Sequence, residues 1–104
     1  MPNKFSEAVW KLCSKIPRGK VTTYKEIATA LHTKAYRAVG NSLKNNPFAP
    51  TVPCHRVVAS DGTLGGYNGR LNSKKKISLL KKEGVRFIDG KIDGFQKKLH
   101  KFGP

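Results

Sequence analysis

Residues 23–44 read TYKEIATALHTKAYRAVGNSLK, and the fold turns on this stretch. Thr23 followed by Glu26 is a capping-box pattern, in which a side-chain oxygen satisfies an amide left free at a helix start. Tyr24, Ile27, Ala28 and Leu31 then share one helical face, so the spacing predicts a short helix. His32-Thr33 interrupts it and Thr33 is placed to cap a second helix. Ala35, Ala38, Val39 and Leu43 form the apolar stripe of that helix to about Lys44. Two short helices joined by a tight turn are a helix-turn-helix or an ordinary helical hairpin, and periodicity alone does not choose between them.

On the N-terminal side, Phe5, Val9, Leu12, Cys13 and Ile16 recur at the helical period. They predict an amphipathic helix from about Asn3 to Ile16, ended by Pro17-Arg18-Gly19. Cys13 lies on its apolar face, where a thiol behaves as a small hydrophobe. On the C-terminal side, Asn45-Asn46-Pro47 stops the second helix, and the Pro-rich stretch to Pro53 presents Cys54 on a loop. Val57-Val58 reads as a short strand. Asp61-Gly62, Gly65-Gly66 and Asn68-Gly69 are successive turn signals, a wing-like loop before Leu71. A Lys-rich helix from Asn72 or Ser73 to Glu83 is expected to bury Ile77, Leu79 and Leu80, with Gly84 ending it. Val85 to Ile88, a turn at Asp89-Gly90, and Lys91-Ile92 suggest a small hairpin, and Gln96 to Pro104 a basic tail. The expected fold class is mainly α (α+β), a small winged helix-turn-helix-like domain with a minor β element. It would occupy residues 1–94, with a basic C-terminal tail over 95–104.

A chain of 104 residues suits one compact domain and is short for two. Its 21 Lys and Arg against six carboxylates give a formal charge of +15. Such an excess repels itself unless a polyanion or salt compensates it, which points to nucleic acid. Basicity by itself does not separate an enzyme from a binder, or either from a chain whose lysines only keep it soluble. Cys13 and Cys54, the only cysteines, are too few for a disulfide framework and lack zinc-site spacing, so a reducing, intracellular setting is expected. No apolar run approaches a membrane span, and the N-terminus lacks the apolar stretch of a secretory signal.

Cys54 stands beside His55 and Arg56, and a thiol becomes a useful nucleophile when positive charge or a base raises its thiolate fraction. Neighbours in a loop need not face each other, so the dipeptide alone does not establish catalysis. The run Pro53-Cys54-His55-Arg56-Val57-Val58 resembles the active-site signature of the O6-alkylguanine-DNA alkyltransferases (methylated-DNA–protein-cysteine methyltransferases). Val21-Thr22-Thr23-Tyr24, Arg37-Ala38-Val39-Gly40, Asn46-Pro47, Gly65-Gly66-Tyr67 and Glu83-Gly84 occur in that family's order and at its approximate spacing. The resemblance runs from about residue 5 to residue 85, the span of the family's C-terminal DNA-binding and active-site domain.

The resemblance implies transfer of an alkyl group, chiefly methyl, from O6-alkylguanine flipped out of duplex DNA to Cys54, irreversibly and once per molecule. It implies catalytic roles for Cys54, His55, Glu83 and Asn46: the glutamate orients the imidazole, the imidazole draws the thiol proton through a water, and Asn46 ties the recognition helix to the active-site loop. Arg56 is expected to hold that loop. Arg37 matches the arginine that fills the gap left by the flipped base, and Thr23, Lys34, Ala35 and Tyr36 are further candidate DNA contacts. Tyr24, Val57, Tyr67, Asn68 and Gly69 match the guanine pocket. Double-stranded DNA, met mainly through the minor groove and phosphates, is the implied partner of a monomer. No metal or other cofactor is implied, nor zinc, since the family's N-terminal domain is missing here. Localisation would be the cytoplasm or nucleoid of a prokaryote, or the nucleus of a eukaryote. Two positions depart from the family: Tyr36 stands where relatives often carry a small residue, and Arg70 where a second glycine is usual. A second implied possibility is the alkyltransferase-like proteins, which flip alkylguanine without chemistry and typically replace the cysteine. A winged-helix regulator would account for charge and helix-turn-helix but leaves the Pro-Cys-His-Arg loop unexplained.

Overall fold

Asn3 accepts a hydrogen bond from the Ser6 amide at 2.8 Å and so caps the first helix, α1, Lys4–Cys13. The structure, a computed structural model, describes residues 3–49, 51–67, 70–71 and 73–102. α1 stops short of Ile16 because the Lys15 and Ile16 amides turn back to the Leu12 and Cys13 carbonyls. Ile16 is nonetheless buried, so the apolar stripe outlasts the helix that carries it.

β1, Thr22–Thr23, leads directly into α2, Tyr24–Ala30, where the Thr23 hydroxyl accepts from the Glu26 amide at 3.0 Å. α3, Tyr36–Lys44, begins later than a Thr33 cap predicts. The Thr33 hydroxyl accepts instead from the Ala35 amide at 3.1 Å, spending its capping capacity inside the turn, and Ala35 precedes α3 without a side-chain cap. Val9, Trp10, Cys13, Ile27, Ala28, Val39 and Leu43 from these three helices form the first core, which also takes in Cys54 and Val57. Trp10 fixes α1 to α3: its indole N–H donates to the Ser42 carbonyl at 2.7 Å, and its ring meets Phe48 edge to face at 5.9 Å.

A single 3-10 turn, Cys54–Arg56, follows, and then β2, Val57–Val58, which pairs in parallel with β1 so that Thr22 lies opposite Val57. β3, Gly66–Tyr67, and β4, Arg70–Leu71, form an antiparallel wing. α4, Lys74–Lys82, is capped by Ser73 and ends where Gly84 takes a φ of 87°. β5, Phe87–Ile88, and β6, Lys91–Ile92, make the expected hairpin. A second core gathers Val21, Val58 of β2, Leu64, Leu80 of α4, Val85 and Ile92 of β6.

The C-terminal residues, basic in composition, fold back on the domain. Gly94 takes a φ of 65° and opens α5, Phe95–Lys98, whose Phe95 packs against the second core. The chain then runs alongside Val21. The Val21 amide donates to the Lys98 carbonyl at 2.9 Å, the His100 amide donates to the Val21 carbonyl at 2.6 Å, and the Thr22 hydroxyl donates to the His100 carbonyl at 2.8 Å. This ladder holds the strand from which α2 and Tyr24 are launched. Ending the chain after residue 94 removes two part-buried aromatics, Phe95 and Phe102, and the three ladder hydrogen bonds, and should therefore cost about 3–6 kcal/mol. Urea unfolding of the truncated and full chains would measure the loss, and equal midpoints would mean the ladder adds nothing.

Candidate active site

The 3-10 turn brings Cys54, His55 and Arg56 to the junction of α1, α4 and β2. Cys54 is 5% exposed and His55 1%. Glu83 closes α4 and reaches both neighbours of the thiol. Arg56 grips its carboxylate with two bonds, Nε to Oε1 at 2.9 Å and Nη2 to Oε2 at 2.6 Å, and donates a third from Nη1 to the Ile16 carbonyl at 2.7 Å. His55 Nε2 lies 3.1 Å from Glu83 Oε2.

The protonation states follow from these contacts. Burial works to raise the Glu83 pKa, but the bonds from Arg56 and His55 outweigh it and hold the group below the usual carboxylate range. Burial also pushes His55 below its ordinary value, against the pull of Glu83, so the ring is neutral at pH 7. An ionised carboxylate only accepts, so Nε2 must carry the proton and Nδ1 the lone pair. Nδ1 is buried and has no hydrogen-bond partner among the described residues. The ring is thus a base held in one tautomer.

Burial raises the Cys54 pKa, partly offset by a hydrogen bond from the Asn46 side chain and by the charge of Lys76. The thiol therefore rests protonated and needs a base to react. Asn46 is itself buried: its Nδ2 donates to the Val52 carbonyl at 2.9 Å and its Oδ1 accepts from the Phe48 amide at 2.9 Å, binding the end of α3 to the approach to Cys54. Cys13 is fully buried, its pKa raised chiefly by burial, and it packs in the core.

Lys34, Ala35, Tyr36 and Arg37 are all exposed at the start of α3, so Ala35, expected on the apolar stripe, stands in solvent while Val39, Ser42 and Leu43 are buried. Two of the four, Lys34 and Arg37, are cationic, a favourable setting for an anion. Thr23 is 4% exposed and its hydroxyl is engaged by Glu26, so it serves as the α2 cap that positions Tyr24 and not as a surface group. Half-buried Tyr24 lies against the wing: a Cβ on Gly65, where φ is 71°, would stand 3.0 Å from the tyrosine oxygen. Val57 is fully buried. Tyr67 contributes its backbone to β3. Asn68 and Gly69 lie outside the described residues.

One site residue had no role in the sequence reading. Lys76, on α4, is 0% exposed and donates from Nζ to the carbonyls of Val57 at 2.7 Å and Leu64 at 2.5 Å. Its signal was its position four residues before buried Leu80, on the inner face of α4, hidden in a run of three lysines that reads as a solvated surface. Among the described residues, no three His, Cys, Asp or Glu side chains gather where they could hold a metal ion, and no helix is long and apolar enough to cross a membrane.

With this geometry, residues 4–85 match the profile of the 6-O-methylguanine DNA methyltransferase DNA-binding domain. The chain belongs to that family. It is 45% identical over 83 residues to the methylated-DNA–protein-cysteine methyltransferase of Methanosarcina barkeri, a match covering 79% of this chain and 52% of that protein. The chain thus spans about half the length of such methyltransferase relatives. The crystal structure of Mycobacterium tuberculosis OGT in complex with DNA superposes with a TM-score of 0.72 at 42% identity, over 80% of this chain and 51% of that one. S. pombe Atl1, in complex with damaged DNA containing O6-carboxymethylguanine, superposes with a TM-score of 0.81 at 29% identity, over 97% of this chain and 99% of that one. The mainly helical domain with short strands is the fold of the alkyltransferase structures.

The protonation states carry a stability consequence. His55 has a folded pKa below its unfolded value, so as pH falls the unfolded chain binds the proton first. The stability tied to neutral His55 is present above about pH 6.5 and is lost as pH drops below it. Glu83, also depressed, adds a loss in the same direction at lower pH. Urea unfolding between about pH 8 and pH 5 should show a decline that is shallower in His55→Gln, while equal slopes would show that His55 is not held neutral.

Proposed function

We propose that this protein is a DNA repair methyltransferase that binds duplex DNA, flips out an O6-alkylguanine and moves the alkyl group to its own Cys54. The observation that carries this reading is the buried His55 with Nε2 held by ionised Glu83 and Nδ1 carrying the lone pair, next to a thiol that needs a base. His55 Nδ1 takes the thiol proton through an intervening water. The thiolate attacks the alkyl carbon, the carbon–O6 bond breaks, and a thioether forms at Cys54. The guanine leaves as its anion and takes up the proton that the thiol gave to His55, relayed through water, while the Tyr24 hydroxyl is hydrogen-bonded to the base. A thioether has no easy exit, so each molecule acts once, and no cofactor takes part.

DNA is bound by Lys34, Ala35, Tyr36 and Arg37 at the exposed start of α3, with Arg37 filling the gap in the stack. Access is mainly through the minor groove, the protein is monomeric, and phosphate contacts by a chain of charge +15 make binding salt-sensitive. Val57, Tyr67, Asn68 and Gly69 line the base pocket. Residues 1–94 act as a single DNA-binding and alkyl-acceptor domain, and the substrate locates the protein wherever cellular DNA is held.

A second reading, a lesion binder that performs no chemistry and recruits excision repair, is favoured by the end-to-end likeness to Atl1. Cys54, His55 and Glu83 together support transfer over this alternative. Mixing the protein with a duplex carrying one O6-methylguanine and weighing the intact chain separates the two. A one-methyl gain, absent in Cys54→Ser, is expected; tight lesion binding with unchanged mass would leave only the binder. On the same duplex, Arg37→Ala should slow transfer about tenfold to a hundredfold, because the flipped state loses its stacking cation. An unchanged rate would remove Arg37 from the flipping step.

A further inference from the structure

Five of the nine residues of α4 are lysines. Lys74, Lys75, Lys81 and Lys82 are exposed, and among the described residues no carboxylate lies within ion-pair distance of them. The first turn of α4 holds three lysines and no acid, the reverse of what the helix dipole favours. The fold gains nothing from that charge, so a partner outside the chain is the natural reason for it. Lys74, Ile77, Ser78, Lys81 and Lys82 line an open groove of about 490 Å³. Their spacing puts them on one side of the helix, opposite buried Lys76 and Leu80. Arg18 donates from Nη2 to the Lys82 carbonyl at 2.8 Å and adds a guanidinium at one end. Lys74 and Lys82 stand about 12 Å apart along the axis, at 1.5 Å per residue, a length that spans roughly three phosphates of a DNA strand.

We propose that the outer side of α4 is a second DNA-binding surface, which holds the backbone of another duplex segment while α3 holds the first. This rests on the reading of α3 as the primary DNA contact. The inner side of α4 packs on the 3-10 turn of Cys54, so the groove points away from that turn. A duplex that delivers a base to Cys54 by way of α3 therefore leaves the α4 lysines to other phosphates. The groups on offer are ammonium ions and the Ser78 hydroxyl, which suit phosphate oxygens; no aromatic or amide side chain lines the groove to read a base. Contacts of this kind are indifferent to sequence and to damage. A protein with two such surfaces passes from one segment to the next without full release, which shortens the search for a rare lesion.

The test is the rate at which a fluorescent, undamaged duplex leaves the protein while unlabelled duplex is added in increasing excess. With one DNA surface that rate is set by release alone; with two, the incoming duplex is held before the first departs. The parent should release about threefold to tenfold faster across the series at low salt, and the dependence should fade as salt rises. Lys74→Gln/Lys81→Gln/Lys82→Gln should release at one rate throughout, with methyl transfer at saturating lesion duplex unchanged. Lys11→Gln/Lys15→Gln/Lys91→Gln, of the same net charge, should follow the parent. All six lysines are exposed, so neither variant disturbs the core. A parent that ignores the competitor overturns the proposal, as does an α4 variant that responds like the parent or a control that loses the response equally. Acceleration by heparin and not by duplex would also overturn it, leaving α4 a plain polyanion face. Lys34→Gln/Arg37→Gln tests the other reading separately: weaker binding of the first duplex is expected, and unchanged affinity would sink the primary role of α3 alone.

Discussion

The carboxylate of Glu83 is the point on which the site depends. Three charge-assisted bonds from Arg56 and His55 converge on it, and Arg56 extends the set to the Ile16 carbonyl. One acidic group thus joins the turn after α1, the 3-10 turn and the end of α4, segments far apart in the chain. It also sets the imidazole tautomer, since an ionised carboxylate tolerates only a donor at Nε2. Geometry and chemistry here have one cause. In a chain with six acids and 21 bases, a buried carboxylate does not lack for cations, and the arginine beside the histidine takes the larger share.

The two cysteines show how environment divides identical groups. Both are buried and both have raised pKa values, yet Cys13 sits among the side chains of three packed helices while Cys54 opens the 3-10 turn next to His55 in the chain. A thiol that rests protonated is protected from stray electrophiles and oxidants. Raising its reactivity then takes a base close at hand, which a thiol in open solution does not have.

Much of this was legible in the residues because local rules and tertiary packing agree. The caps at Thr23 and Ser73, the stop at Gly84, the strand at Val57-Val58 and the buried Cys13 all follow from patterns spanning four to ten positions. Thr33 misled because a hydroxyl can serve a turn as readily as a helix start. The parallel pairing of β1 with β2 left no trace in the sequence, since two residues a side carry no periodicity. Lys76 was hidden for a different reason: three consecutive lysines look alike until the helix phase decides which one faces inward. Cys54, His55, Glu83 and Asn46 were named from the resemblance, and the protonation states of the first three follow only from their surroundings in the fold.

The pairing of Thr22 with Val57, and of Val21 with Leu99, has a consequence for how the protein forms. The packing of α2 on α3 links residues close in sequence, and such contacts close quickly, whereas α1 reaches α3 across 32 to 36 residues. The strands that hold Tyr24 and the 3-10 turn join positions 35 and 78 residues apart, and Glu83 must arrive from the far end of α4. Chain closure over such separations comes late. The longest of these closures, Val21 with Leu99, therefore comes last, so the strand that leads into α2 is locked in place only once the C-terminal segment has been made.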